Sequence, residues 1–450
     1  MSISNSLHKT AVWDKTYASH LLSRTMFGHT KADLDFALSL TLDDYVDNYL
    51  LADSSVPQSP GFWVSDPKSY DNSVRTRELT YWWYNLMLTQ GHSLREKMVL
   101  FWHNHFVSET EVVRLPQRMY WQNKLFRDNA FGNFKELTTK VATDPAMLIY
   151  LDSVKNRKED PNENFARELL ELFTIGIGNY TENDIAEGAK ALTGWQVEGL
   201  ESSFNEDRFD TSAKTFMGQT GNYNYTDIID IIFTQEETAK YICRKLYKEF
   251  VYFEPDTAVV NQLATVFRNG NFELKPVLSI LLKSSIFQSS EVVGSKIKSP
   301  VELIVSHLKQ FNIINPDYEY LRKIANDIGQ TLFSPPGVAG WKGDKTWIST
   351  NTLPARNVFT DRIINGRKSD LNVLEYARSY SSSENAIQFI DDVAELFFSY
   401  KLSENRKQYL LEVLLDGTEV YDWSTQNENA EKRLLSFFKS VCRFSEYQLA

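Results

Sequence analysis

Asp160-Pro161-Asn162-Glu163-Asn164-Phe165-Ala166-Arg167-Glu168-Leu169-Leu170-Glu171 is the stretch from which the rest of the chain is read. Asp160 is a suitable N-cap, Pro161 suits the first helical position, and Glu163 follows the cap by three residues. Gly176 and Gly178 predict the stop. Phe165, Leu169, Leu172 and Phe173 supply an apolar stripe. Glu163, Arg167 and Glu171 stand at i, i+4 spacing, and Asn164 with Glu168 forms a second polar row bordering that stripe. A helix this polar beside its apolar face predicts a polar site as well as a helix.

The same signals recur outward along the chain. Apolar spacing and caps predict helices over 17–26, 31–49, 75–88, 93–106, 115–127, 133–142, 145–151 and 182–192. Others are predicted over 238–250, 259–267, 275–287 and 299–311. Residues 54–70 hold three prolines and read as a loop. Residues 197–221 and 332–352 read as irregular, the first with room for a small β-hairpin. The expected fold class is all-α (mainly α), a large multi-helix domain with long irregular loops. Residues 1–370 are expected to form the core domain. Ser381 to Ser383 reads as a linker, and 371–450 as a helical C-terminal extension packed on the same domain.

Bulk properties narrow the function classes. Of 450 residues, 42% are hydrophobic, enough for a sizeable core. The formal charge of −11 argues against a general phosphate-backbone binder, so no nucleic-acid partner is expected. No window approaches the roughly 20 apolar residues of a membrane span. Met1 to Lys15 lacks the apolar run of a signal peptide, which gives a cytoplasmic expectation. Cys243 and Cys442 sit among apolar neighbours, as buried thiols do. A disulfide between them is allowed but not implied.

Several residues are candidates for chemistry. His103 and His105 stand two apart in Phe101-Trp102-His103-Asn104-His105-Phe106. In a continuous helix they lie about 200° apart and cannot share one ion. A divalent metal site would need a carboxylate or a third histidine from elsewhere, and Asp144, Asp152, Glu163 and Glu168 could each supply a carboxylate. Asp152 closes a helix, where the dipole disfavours an anion, and so predicts a specific partner such as Arg157 or Arg167. Glu163 and Glu168 are candidate acids, bases or ligands, with Arg167 holding them in place. Asn162, Asn164, Trp195, Trp341 and Trp347 are candidate ligand-binding residues, the last two on a Pro- and Gly-rich loop. His103 or His105, together with Asp152, Glu163, Arg167 and Glu168, is expected to converge in one cleft. No phosphate loop, dinucleotide fingerprint, HExxH or GxSxG is present.

Ordered landmarks along the chain resemble the bacterial family called domain of unknown function 1800. They are His20-Leu21-Leu22 with Phe27-Gly28, Arg95-Glu96-Lys97, Phe101 to Phe106, and Gly132-Asn133-Phe134. Asp144 to Met147, Tyr150 to Asp152, Asn162 to Leu169 and Ala191 to Trp195 follow. Lys298-Ser299-Pro300-Val301-Glu302, Gly329-Gln330, Leu332-Phe333, Pro335-Pro336 and Gly340-Trp341 complete the set. The resemblance implies context more than activity. Its members often look exported and commonly neighbour a sulfatase-like protein, which implies such a partner. They often carry a histidine before the Lys214-Thr215 position, where this chain has Phe209-Asp210-Thr211.

Two functions are therefore expected. One is a binding or accessory protein whose polar cleft and tryptophan loops recognise a glycan or protein partner. The other is a hydrolytic enzyme, with or without a metal, using Glu163, Glu168 and His103 or His105.

Overall fold

The computed structural model describes residues 7–53, 55–68 and 70–450. The N-terminal expectation for 1–6, and Ser54 and Ser69 of the 54–70 loop, lie outside the described residues. Helix makes up 58% of the structure. Among the described residues, strand is confined to two antiparallel hairpins, β1 (Trp195–Glu198) with β2 (Glu201–Phe204), and β3 (Lys214–Phe216) with β4 (Gln219–Gly221). The chain is mainly α, as its caps and periodicities predict, and the irregular 197–221 region holds two hairpins rather than one.

The caps explain most helix starts. Thr30, Thr181 and Ser299 each close a capping box with the acid three residues on. Asp144 accepts from the Met147 N–H with Pro145 at the first position, and Asn133 caps Phe134–Val141. The predicted 31–49 helix is broken. Thr41 is itself a cap, so the chain runs as Lys31–Leu38, Leu42–Tyr45 and then a wide π turn at Val46–Leu50.

The Asp160 segment departs from its reading. Asp160 does not cap: its N–H donates to the Arg157 carbonyl in a turn, and the helix begins at Asn164. Asn156 takes the Asn162 N–H at 2.9 Å, and Asn162 Oδ1 takes the Asn164 N–H at 3.0 Å. Competition from those two side chains delays the helix by a turn. Asn164–Glu168 then opens into a π turn over Leu169–Thr174. Such turns misalign backbone carbonyls and recur at functional sites. Here the Leu172 carbonyl accepts from Tyr241 Oη at 2.8 Å, and the Phe173 carbonyl pairs with His105 Nε2 at 3.1 Å.

One continuous hydrophobic cluster runs from Tyr17 to Tyr447. The C-terminal Ala430–Arg443 helix packs on Thr352–Ile364 and Val373–Arg378. Cys243 and Cys442 are buried free thiols. Among the described residues, no helix is long and apolar enough to cross a membrane.

The Arg95–His105 helix is central, and a buried ion pair fixes it. Arg127 donates to both oxygens of Glu96, at 2.6 and 2.8 Å, and Trp83 Nε1 donates to the same carboxylate at 2.9 Å. The arrangement ties this helix to Asn72–Thr89 and Pro116–Asp128.

Candidate functional site, a basic cavity

A cavity of about 450 Å³ opens where several elements meet. The Arg95–His105 helix gives it Lys97, Phe101, Asn104 and His105, whose spacing places them on one face. The end of the Glu236–Phe250 helix gives Lys245, Lys248 and Glu249. Ser299 and Glu302 come from the start of Pro300–Gln310. Trp341 and Trp347 come from the 332–352 loop, with Tyr252 and Phe253 as further aromatic wall.

Asn104 clamps that loop. Its Oδ1 accepts from the Trp341 N–H at 2.7 Å and its Nδ2 donates to the Trp341 carbonyl at 3.3 Å. The approach requires glycine at 340. Gly340 has φ +72°, and a Cβ there would stand 2.2 Å from Asn104 Oδ1. Gly340→Ala is therefore expected to destabilise the protein by at least about 1 kcal/mol in denaturant melts. An unchanged midpoint would show that the clamp does not constrain the loop.

The charge of the lining is unlike that of the chain. Arg24, Lys97, Lys245, Lys248, Lys296 and Lys342 face it against Glu249, Glu302 and Asp344, in a protein of formal charge −11. Glu302 organises the deep end. It pairs with Lys97, with Lys296 at 3.1 Å, and with the Ser299 N–H at 2.6 Å. Burial alone would raise its carboxyl, but the Lys296 and Lys97 ammonium groups outweigh that and hold it well below the usual carboxylate range. Lys296 also pairs with Glu249 at 2.5 Å. Arg24 donates to the Val292 carbonyl at 2.8 Å and to Ser295 Oγ at 3.0 Å, yet its Nε is buried without a partner among the described residues.

Lys245 differs from its neighbours. Its Nζ faces His105 Nδ1 at 2.8 Å and the Leu172 carbonyl at 3.4 Å. Burial, reinforced by the charge of Lys248, pushes its amine down to about 7. His105 pairs through Nε2 with the Phe173 carbonyl, so Nε2 carries the hydrogen and Nδ1 accepts from Lys245.

The residues singled out from sequence separate into several places. His105, Trp341 and Trp347 line the cavity. His103 is buried one layer back against Trp83, Phe333 and Trp341. Burial pushes its imidazole down to about 3, and Nε2 has no hydrogen-bond partner among the described residues. Glu163, Arg167 and Glu182 form a largely exposed ladder, at 3.2 and 2.9 Å, outside the cavity lining. Asp152 turns in the left-handed region at φ +57° and pairs with Lys155 at 2.7 Å rather than with Arg157 or Arg167. Asn162 Oδ1 accepts from the Asn164 N–H just before the helix, and Asn164 Nδ2 donates to the Leu151 carbonyl at 3.1 Å. Trp195 packs edge-on against Phe204 and Tyr225.

Glu168 is 9% exposed and makes no hydrogen bond or ion pair among the described residues. Burial, and then the charge of Glu171, raises its carboxyl above the ordinary value. Among the described residues, no three His, Cys, Asp or Glu side chains are grouped so as to hold a metal ion.

Sequence reasoning passed over Lys97, Lys245, Lys248, Lys296 and Glu302 as site residues. A signal existed for two of them, since Lys97 and Glu302 lie in the landmarks that carry the family resemblance. Those landmarks, with Phe101 to Phe106, Gln330 and Gly340-Trp341, all send residues to this cavity. The others read as the solvated faces of amphipathic segments.

These features define a mainly α protein built around one basic, aromatic-walled cavity. The chain belongs to the family described as protein of unknown function (DUF1800), whose model matches residues 20–449. No curated protein and no solved structure matches it.

Proposed function

We propose that this protein binds an anionic, ring-bearing ligand, such as an acidic glycan, in the basic cavity, and serves in a binding or accessory role. The single observation that carries this is the concentration of Arg24 and five lysines around one cavity of an acidic chain. Walls of one sign focus the field and raise the local concentration of the opposite charge. Trp341, Trp347 and Phe253 add flat surfaces suited to a sugar ring. A sulfatase-like partner, implied by the family resemblance, would handle ligands of the same charge.

Calorimetric titration with a sulfated monosaccharide and its uncharged parent tests this reading. The sulfated sugar is expected to bind about tenfold more tightly or better, an advantage of about 1.4 kcal/mol that shrinks as salt rises. Lys248→Met is expected to remove most of that advantage. Equal affinity for the two sugars, or no binding of either, would remove the reading.

The hydrolytic alternative has one favouring observation, the buried carboxyl of Glu168, which has no partner among the described residues. Raised carboxyls of this kind serve as general acids. The folded value lies above the unfolded one, so this group's contribution to stability is lost as pH rises through the folded value. Glu168→Gln is therefore expected to change stability at neutral pH by under about 1 kcal/mol, with no loss. A marked drop in melting temperature would reveal a structural partner and end its candidacy as an acid.

A further inference from the structure

We infer that Lys245 is a nucleophilic amine that condenses with a carbonyl-bearing anion held in the basic cavity. This inference rests on the anion-binding reading and adds the substrate class, an anion that carries an aldehyde or ketone. The geometry around Nζ supports it. Lys97 and Lys296 each pair with a carboxylate, Glu302 for both and Glu249 for the second. Lys245 instead meets His105 Nδ1 at 2.8 Å and the Leu172 carbonyl at 3.4 Å, both uncharged acceptors. The other titratable groups facing it from its own helix are Tyr241, whose ring centroid is 5.2 Å from Nζ, and the like-charged Lys248.

A neutral amine has two N–H bonds and one lone pair. The His105 ring and the Leu172 carbonyl take the two N–H bonds. The His105 tautomer is fixed by the Phe173 carbonyl, so its Nδ1 can only accept. The lone pair is left at the remaining tetrahedral position of a side chain that lines the cavity. A desolvated lysine beside another cation is an established route to an activated amine.

The chemistry balances without a further reactant. Nζ attacks the carbonyl carbon to form a C–N bond, and the carbonyl oxygen gains a proton. The carbon–oxygen bond of that adduct then breaks. The oxygen leaves as one water molecule with both former N–H hydrogens, and the nitrogen lone pair closes the C=N bond of an imine. The cavity cations hold the ligand's anionic group while this occurs.

Pyridoxal 5′-phosphate, an aldehyde carrying a phosphate, is a suitable probe for the full-length chain. It is mixed in equimolar amount near neutral pH and reduced with borohydride, and the labelled peptides are mapped by mass spectrometry with and without inorganic phosphate. Lys245 is expected to carry at least about tenfold more label than any other lysine. Inorganic phosphate is expected to suppress that label. Lys245→Arg, checked for folding by circular dichroism, is expected to lose it. Label spread evenly over surface lysines, with sulfated-sugar binding intact, would overturn the imine and leave the anion-binding reading standing. Label on Lys245 that phosphate does not slow would overturn the assignment of an anionic carbonyl ligand.

Discussion

Glu302→Gln is expected to lower stability by about 3–5 kcal/mol, because it leaves buried ammonium groups without their anion. The side chains of Lys97 and Glu302 are 2% and 6% exposed. Lys97 has no other carboxylate within ion-pair distance among the described residues, and its remaining close neighbour is the Phe27 ring at 4.8 Å. Lys296 retains Glu249 and suffers less. The capping box at Ser299 weakens as well, since the Ser299 N–H loses a charged acceptor. Glu302 is depressed in the folded state, so its contribution is present above its unfolded value of about 4.5 and is lost as pH falls through the folded value. The difference between wild type and Glu302→Gln in denaturant melts should therefore narrow as pH falls below about 4.5. The cavity also gains one net positive charge, so affinity for a sulfated sugar should rise while stability falls. A variant as stable as wild type at neutral pH would show that this charge cluster is not held dry.

Glu96→Gln is expected to be as costly, about 3–5 kcal/mol, and to leave ligand binding unchanged. Arg127 and Glu96 are 4% and 6% exposed, and the guanidinium meets the carboxylate with two hydrogen bonds. A glutamine offers one acceptor oxygen and leaves a buried cation unbalanced. Trp83 Nε1 would then compete for that oxygen. Glu96 does not line the cavity, so the titration curve with the sulfated sugar should be that of wild type for the folded fraction. The two variants together separate framework from site. Equal loss of stability, with binding raised in Glu302→Gln and unchanged in Glu96→Gln, is the expected pattern, and equal loss of binding in both would show that the basic cavity is not a distinct site.

The helices were legible where a cap and an apolar stripe agreed. Thr181 with Asp184, Ser299 with Glu302, and Asp144-Pro145 each start a helix where the residues predict one. The Asp160 segment misled because Asn156 and Asn162, which look like ordinary turn formers, take its N–H groups and shift the start to Asn164. Its polar side chains then form a largely exposed ladder, while its contribution to the cavity comes from backbone carbonyls freed by the π turn. No side-chain pattern announces that turn. The 332–352 loop was legible as a rigid, tryptophan-bearing segment, and Trp341 and Trp347 do reach the cavity. Its anchor, Asn104, gave no such sign, sitting between two histidines that drew attention instead.

The amino-acid sequence by itself determined the mainly α class, most helix starts and membership of the family. These depend on caps and spacings within a few residues, and local physics is written locally. Only the tertiary structure decided where the site lies. Lys97, the Lys245 and Lys248 pair, and Lys296 come from three segments far apart in the chain, and each alone reads as a solvated cation. Their meaning is electrostatic and collective: packing places them around one cavity and makes their summed charge the dominant property of the site.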